Sequence, residues 1–126
     1  MPFLVKANSV SKQRRTFRVA ERIQGVVANQ LLRLSDPRFF MVTITHVVVS
    51  RDLKTAKVYW VVSGDKARIV EVRGAFDSAQ GIIRGNLAKE IGMRIAPELR
   101  FFYDDTLDTQ EAVNEIFQRM KTDEPE

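Results

Sequence analysis

The sequence has no cysteine, which rules out disulfides, thiolate metal sites and cysteine nucleophiles together. It has one histidine, His46, set in a run of strand-forming residues, where a lone histidine fills a position more often than it catalyses. No serine sits in a nucleophile-elbow pattern, and no GxxxxGK[ST] or GxGxxG phosphate loop occurs. Asp104, Asp105 and Asp108 lack the spacing of a calcium loop, and no metal is expected. No apolar run approaches the roughly 20 residues that span a bilayer. The start MPFLVKANSVSKQRR has only a short apolar patch and no secretory core. These absences set the expectation of a soluble, cytoplasmic protein that is not an enzyme, has no small-molecule substrate and does not engage a membrane. Acid is also scarce at one end, where Glu21 is the only acidic residue before Asp36.

What is present is base, unevenly placed. The chain of 126 residues is long enough for one domain with a real core, and its net charge is +4. Residues 1–103 carry 18 Lys and Arg against 8 Asp and Glu, whereas residues 104–126 carry 2 against 8. Such segregation points to a nucleic-acid-binding body followed by an acidic tail.

Apolar spacing sets out the elements. Residues 1–10 read as an irregular, flexible lead-in. Val19, Ile23, Val27, Leu31 and Leu34 recur at three and four, the stripe of a buried helix running from about Ser11 or Thr16 to Leu34. Asp36-Pro37 ends it, because proline disfavours helical geometry in the residue before it. Phe40–Ser50 and Thr55–Ser63 read as strands joined by the turn Arg51-Asp52-Leu53-Lys54, an antiparallel hairpin. Ala56, Val58, Trp60 and Val62 form the expected core face of the second strand, while the first is apolar on both faces and gives no choice. After a turn and N-cap at Ser63-Gly64-Asp65, Ile69, Val72 and Phe76 mark a helix that is expected to break at Ala79-Gln80-Gly81. It resumes through Ile83, Leu87 and Ile91 and is closed by Gly92. A strand at Leu99–Tyr103 follows, then a weaker helical pattern over Thr109–Met120 and a disordered end, KTDEPE. The order is α-β-β-α-break-α-β, an α+β sandwich with one small sheet covered on one face.

Two basic features stand out. Arg14, Arg18 and Arg22 fall at i, i+4 and i+8 with Arg15 beside them, one positive edge on the first helix suited to phosphates. At the break, Gln80 offers hydrogen bonds, Gly81 permits close backbone approach and Arg84 lies one turn on, with Lys89 and Arg94 further along. A helix beginning there would aim free N–H groups at an anion; the equal alternative is a plain helix-turn-helix corner capped by Ser78. Tyr59, on the less apolar face of its strand, is the aromatic best placed to meet a ligand.

In RRTFRVAERIQ (14–24), DPR (36–38), VTITHVVVSRDLKTAKVYWVV (42–62) and SAQGIIRGNLAKEIGMRIAPELRFFYDD (78–105), the chain resembles the ribosome-binding factor A family of bacterial small-subunit maturation factors over about residues 10–107. The resemblance implies a type II KH-like fold in which an Ala-x-Gly helix kink, here Ala79-Gln80-Gly81, replaces the GxxG loop; this sequence contains no GxxG. It implies an RNA-binding domain over 11–107; the acidic extension at 108–126, expected from charge and spacing to be partly helical and then disordered, is the part the resemblance covers least. It further implies a monomeric, non-enzymatic factor without cofactor that binds the free 30S subunit, acts late in 16S rRNA processing and folding, and supports growth in the cold. The expected RNA contacts are Arg14, Arg15, Arg18, Arg22, Gln80, Gly81, Arg84, Lys89 and Arg94, with Ala79 and Gly81 shaping the kink. The rival reading is a protein-interaction module whose basic face meets an acidic partner.

Overall fold

The computed structural model describes residues 2–123. Helix α1 spans Pro2–Arg33, β1 Thr43–Val49, β2 Thr55–Val61, α2 Lys66–Ile91, β3 Glu98–Tyr103 and α3 Thr106–Asp123. A short 3-10 helix, Pro37–Phe39, follows α1. The Asp36 carboxylate caps that turn, accepting from Arg38 N at 2.9 Å and from Arg38 Nη2 at 2.6 Å. Those bonds to Arg38 hold the Asp36 carboxyl below its ordinary range.

The sheet is three-stranded in the order β1-β2-β3. As expected, β1 and β2 form an antiparallel hairpin; β3 pairs parallel with β2 after the crossover through α2. Helix α1 lies on β1, α2 lies on β3, and the two helices touch each other, so one face of the sheet is covered. Ala56, Val58, Trp60 and Val62 turn into that covered face, as the alternation predicts. Phe76 from α2 stacks on Phe101 at 4.5 Å and meets Trp60 at 5.4 Å, while Phe39 closes edge-on at 4.9 Å. Each such buried side chain is worth about 1.5–3 kcal/mol relative to exposure.

The face of β1 is settled by a bulge. The register slips between Ile44 and His46, leaving Thr45 as the extra residue. Ile44 therefore points inward together with Val47 and Val49, three and five residues on, while His46 and Val48 face out. Gln24 of α1 donates from Nε2 to the carbonyls of Ile44 and Thr45, at 3.3 and 3.2 Å, satisfying acceptors at the irregularity.

Three expectations change. The lead-in at residues 1–10 is helical from Pro2 onward. Proline at the first helical position is preorganised for that conformation, and neither glycine nor proline follows before Gly25. The break at Ala79-Gln80-Gly81 does not occur, because α2 is one helix of 26 residues. Positive φ is confined to Met41, Leu53, Gly64 and Gly92 among the described residues. Of KTDEPE, Lys121 to Asp123 continue α3, and the remaining three residues lie outside the described residues. The expected ends of α2 hold: Asp65 is its N-cap, accepting from Arg68 N at 3.1 Å, and Gly92 caps the other end with φ 68°.

Candidate nucleic-acid interface

Helix α1 buries Ala20, Ile23, Val27 and Leu31 against the sheet and α2, which fixes its opposite side toward solvent. Arg14, Arg15, Arg18 and Arg22 are all on that exposed side. Arg14, Arg18 and Arg22 cover about 12 Å of helix at 1.5 Å per residue. Among the described residues, none of the four guanidinium groups has an ion-pair or hydrogen-bond partner. Like charges at i and i+4 cost an isolated helix about 0.2–0.5 kcal/mol per pair, and a bound anion would reverse that cost. Farther along, Arg33 is compensated by Glu90 at 3.3 Å and drops out of the free row.

The α2 residues divide into structural and free ones. Gln80 donates from Nε2 to Leu99 O at 2.7 Å, tying α2 to β3. Arg84 reaches Ala96 O through Nη2 at 3.0 Å, holding the connector before β3. Ser78 caps nothing; its hydroxyl donates to Gly74 O at 3.1 Å within the same helix. With no new helix starting there, the backbone N–H groups expected to meet an anion are already used within α2. Ala79 is 9% exposed and faces the core. Gly81 is exposed, and a Cβ built on it would meet nothing within 4 Å. Ser78, Gly81 and Gly85 recur at three and four on the exposed side, a smooth strip where another molecule could approach the backbone. Lys89 and Arg94 are exposed and unpaired among the described residues. Replacing Gln80 by alanine is therefore expected to lower unfolding stability by about 1 kcal/mol in urea melts.

The two basic groups form separate patches. Buried Gln30 of α1 donates to Ile83 O at 3.1 Å and accepts from Asn86 Nδ2 at 3.5 Å. These contacts, and Arg33 with Glu90 farther on, show the helices running in the same direction where they meet. Arg22 therefore stands about 16 Å, and Arg14 about 28 Å, up the α1 axis from Arg33, while Lys89 lies beside Glu90 at the other end.

Sequence reasoning missed Lys57 and Arg100, exposed on the uncovered sheet face and paired in register across β2 and β3. The strand periodicity places each on its face, but their partnership needs the strand order. Asp104 also gains a role. Its carboxylate accepts from Thr45 Oγ1 at 2.7 Å and from Thr106 N at 3.0 Å, joining the β1 bulge to the start of α3. The Thr106 hydroxyl, then the Thr45 hydroxyl and the Thr106 amide, hold this carboxyl below its ordinary range. A depressed carboxyl stabilises the fold above its unfolded-state value, and that contribution is lost as pH falls through the folded value. Asp104→Ala is expected to cost about 1–2 kcal/mol at neutral pH and progressively less in acid, as read by urea melts across that range.

No helix among the described residues is long and apolar enough to cross a membrane. A family model described as Ribosome-binding factor A matches residues 15–117. A ribosome-binding factor A from Desulfatibacillum aliphaticivorans is 40% identical over 111 residues, covering 86% of this chain and 90% of the relative. Among solved structures, a putative ribosome-binding factor A from Thermotoga maritima superposes with a TM-score of 0.65 at 31% identity, over 70% of this chain and 85% of that one. A Thermus thermophilus ribosome-binding factor A homology model, fitted into a cryo-EM map of a complex with the 30S subunit, is similar with a TM-score of 0.57 at 25% identity, covering 68% and 90%. With its α+β, KH-like architecture, this chain belongs to the ribosome-binding factor A family.

Proposed function

We propose that this protein is a non-enzymatic assembly factor of the cytoplasm that binds the free 30S subunit as a monomer, without a cofactor. In this reading it assists late processing and folding of 16S rRNA and supports growth in the cold. The observation that carries the proposal is the α1 row of Arg14, Arg15, Arg18 and Arg22, exposed and unpaired among the described residues, in a chain whose family match spans residues 15–117. The relative fitted into a 30S map supports the choice of partner. The row contacts phosphates, and the strip at Ser78, Gly81 and Gly85, with Lys89 and Arg94, forms a second contact patch. Ala79 packs into the core there, while Gln80 and Arg84 hold α2 and its connector in place and contribute indirectly. Such contacts read the shape and backbone of folded RNA rather than its sequence.

Sedimentation of a cell lysate tests this. Comigration with free small subunits, and not with translating ribosomes, is expected. Absence from the small-subunit fractions in low salt would contradict it. The rival, an acidic protein partner, predicts that charge reversal of Arg14, Arg18 and Arg22 disturbs binding to that partner while rRNA binding stays intact.

A further inference from the structure

The uncovered face of the sheet carries two ordered rows of side chains that the α1 and α2 surfaces do not use. His46, Tyr59 and Phe102 are neighbours across β1, β2 and β3, in register. The His46 and Tyr59 rings stack at 4.2 Å with 11° between planes, and Tyr59 meets Phe102 at 5.7 Å and 32°. The row is open to solvent: the His46 side chain is 49% exposed and Phe102 is 42% exposed. One step along the strands, Val48, Lys57 and Arg100 form the second row. Lys57 has no partner among the described residues, and Arg100 has only an exposed contact of 3.7 Å with Glu98.

A purely structural face would have little reason to line up aromatic rings in solvent beside cations. The His46 and Phe102 rings leave close to half of their surface in solvent and Tyr59 a smaller part, whereas rings on the covered face, such as those of Trp60 and Phe76, bury nearly all of theirs. Flat heteroaromatic ligands that carry a negative charge at one end satisfy both rows together. Unpaired nucleotides have that form, with a base to extend the ring stack and a phosphate for the cations. Adjacent rows on one strand face are two residues apart, about 6.6 Å, which suits a base and its own phosphate. The half-exposed His46 ring ends the stack on β1, an edge strand, where a base can continue it.

We propose that this face is a stacking platform for a short unpaired RNA segment: bases against His46, Tyr59 and Phe102, phosphates near Lys57 and Arg100. The inference rests on the RNA-binding reading above and adds a second kind of contact to it, sequence-tolerant because every base has a π-face. It would let the protein hold a single strand on the sheet while α1 lies against folded RNA.

The test adds a short oligouridylate or oligoadenylate to the full chain and follows ring and amide signals by NMR, alongside 30S binding. Shifts at His46, Tyr59 and Phe102 are expected with both oligonucleotides. Tyr59→Leu and Phe102→Leu, each partly exposed and so tolerant of the change, should each weaken oligonucleotide binding roughly tenfold or more. Shifts confined to the α1 arginines, with both variants binding as the parent does, would overturn the platform, as would shifts at the apolar residues of α3 showing that helix covering the sheet. If the parent binds oligonucleotides through the rings but never binds the 30S subunit, the platform stands and the assembly-factor reading fails. If it binds the subunit but the rings stay silent with either oligonucleotide, the reverse holds.

Discussion

Replacing Arg14, Arg18 and Arg22 together by glutamate is expected to weaken binding to free small subunits by about a hundredfold or more at moderate salt. Each charge-assisted contact to a phosphate contributes about 1.5–3 kcal/mol, and removing more than one exceeds the 1.4 kcal/mol of a single decade. Reversal also adds repulsion where attraction stood. The salt dependence should become shallower by about one unit of slope for each phosphate that is no longer neutralised. The fold should survive, since all three side chains are exposed and unpaired among the described residues. An unchanged circular dichroism spectrum and melting profile, beside the weakened binding, separates this result from misfolding. Binding at the parent's strength would remove α1 from the interface.

The largest expected effect on stability is at Trp60. It is 0% exposed, sits on the central strand and meets the rings of Phe76 and Tyr103 at 5.4 and 5.3 Å. Trp60→Ala should cost roughly 3–5 kcal/mol, a large share of the 5–15 kcal/mol that holds an ordinary domain together. Among the described residues, its indole Nε1 is buried without a hydrogen-bond partner. Phenylalanine keeps an aromatic ring there and removes that orphan donor, whose burial costs about 1–3 kcal/mol. Trp60→Phe should therefore lose well under half as much as Trp60→Ala in urea melts. Equal losses for the two would mean that the indole N–H finds a partner after all.

The sequence showed the covered face of β2 directly, because Ala56, Val58, Trp60 and Val62 alternate without interruption. It could not show the face of β1, because the extra residue at Thr45 shifts the alternation halfway and makes both faces look apolar. The continuity of α2 was hidden for a different reason. Glycine and serine near Ala79 weaken local helix preference by up to about 1 kcal/mol each, but burial of Ala75, Phe76, Ile83 and Leu87 on both sides of the weak point carries the helix through. The arginine edge of α1 was legible because helical spacing alone aligns it. The division of the α2 residues was not, since the carbonyls that hold Gln80 and Arg84 come from Leu99 and Ala96 across the fold. The sheet platform was visible only as Tyr59; its neighbours His46 and Phe102 required the strand order and register.

Salt titration of the affinity of the unmodified protein for free small subunits tests the central claim most directly. If the α1 arginines neutralise about four phosphates, log affinity falls with log salt at a slope of roughly −3 to −4. A slope near zero, with binding otherwise intact, would show that the subunit is held without its phosphates and would contradict the account.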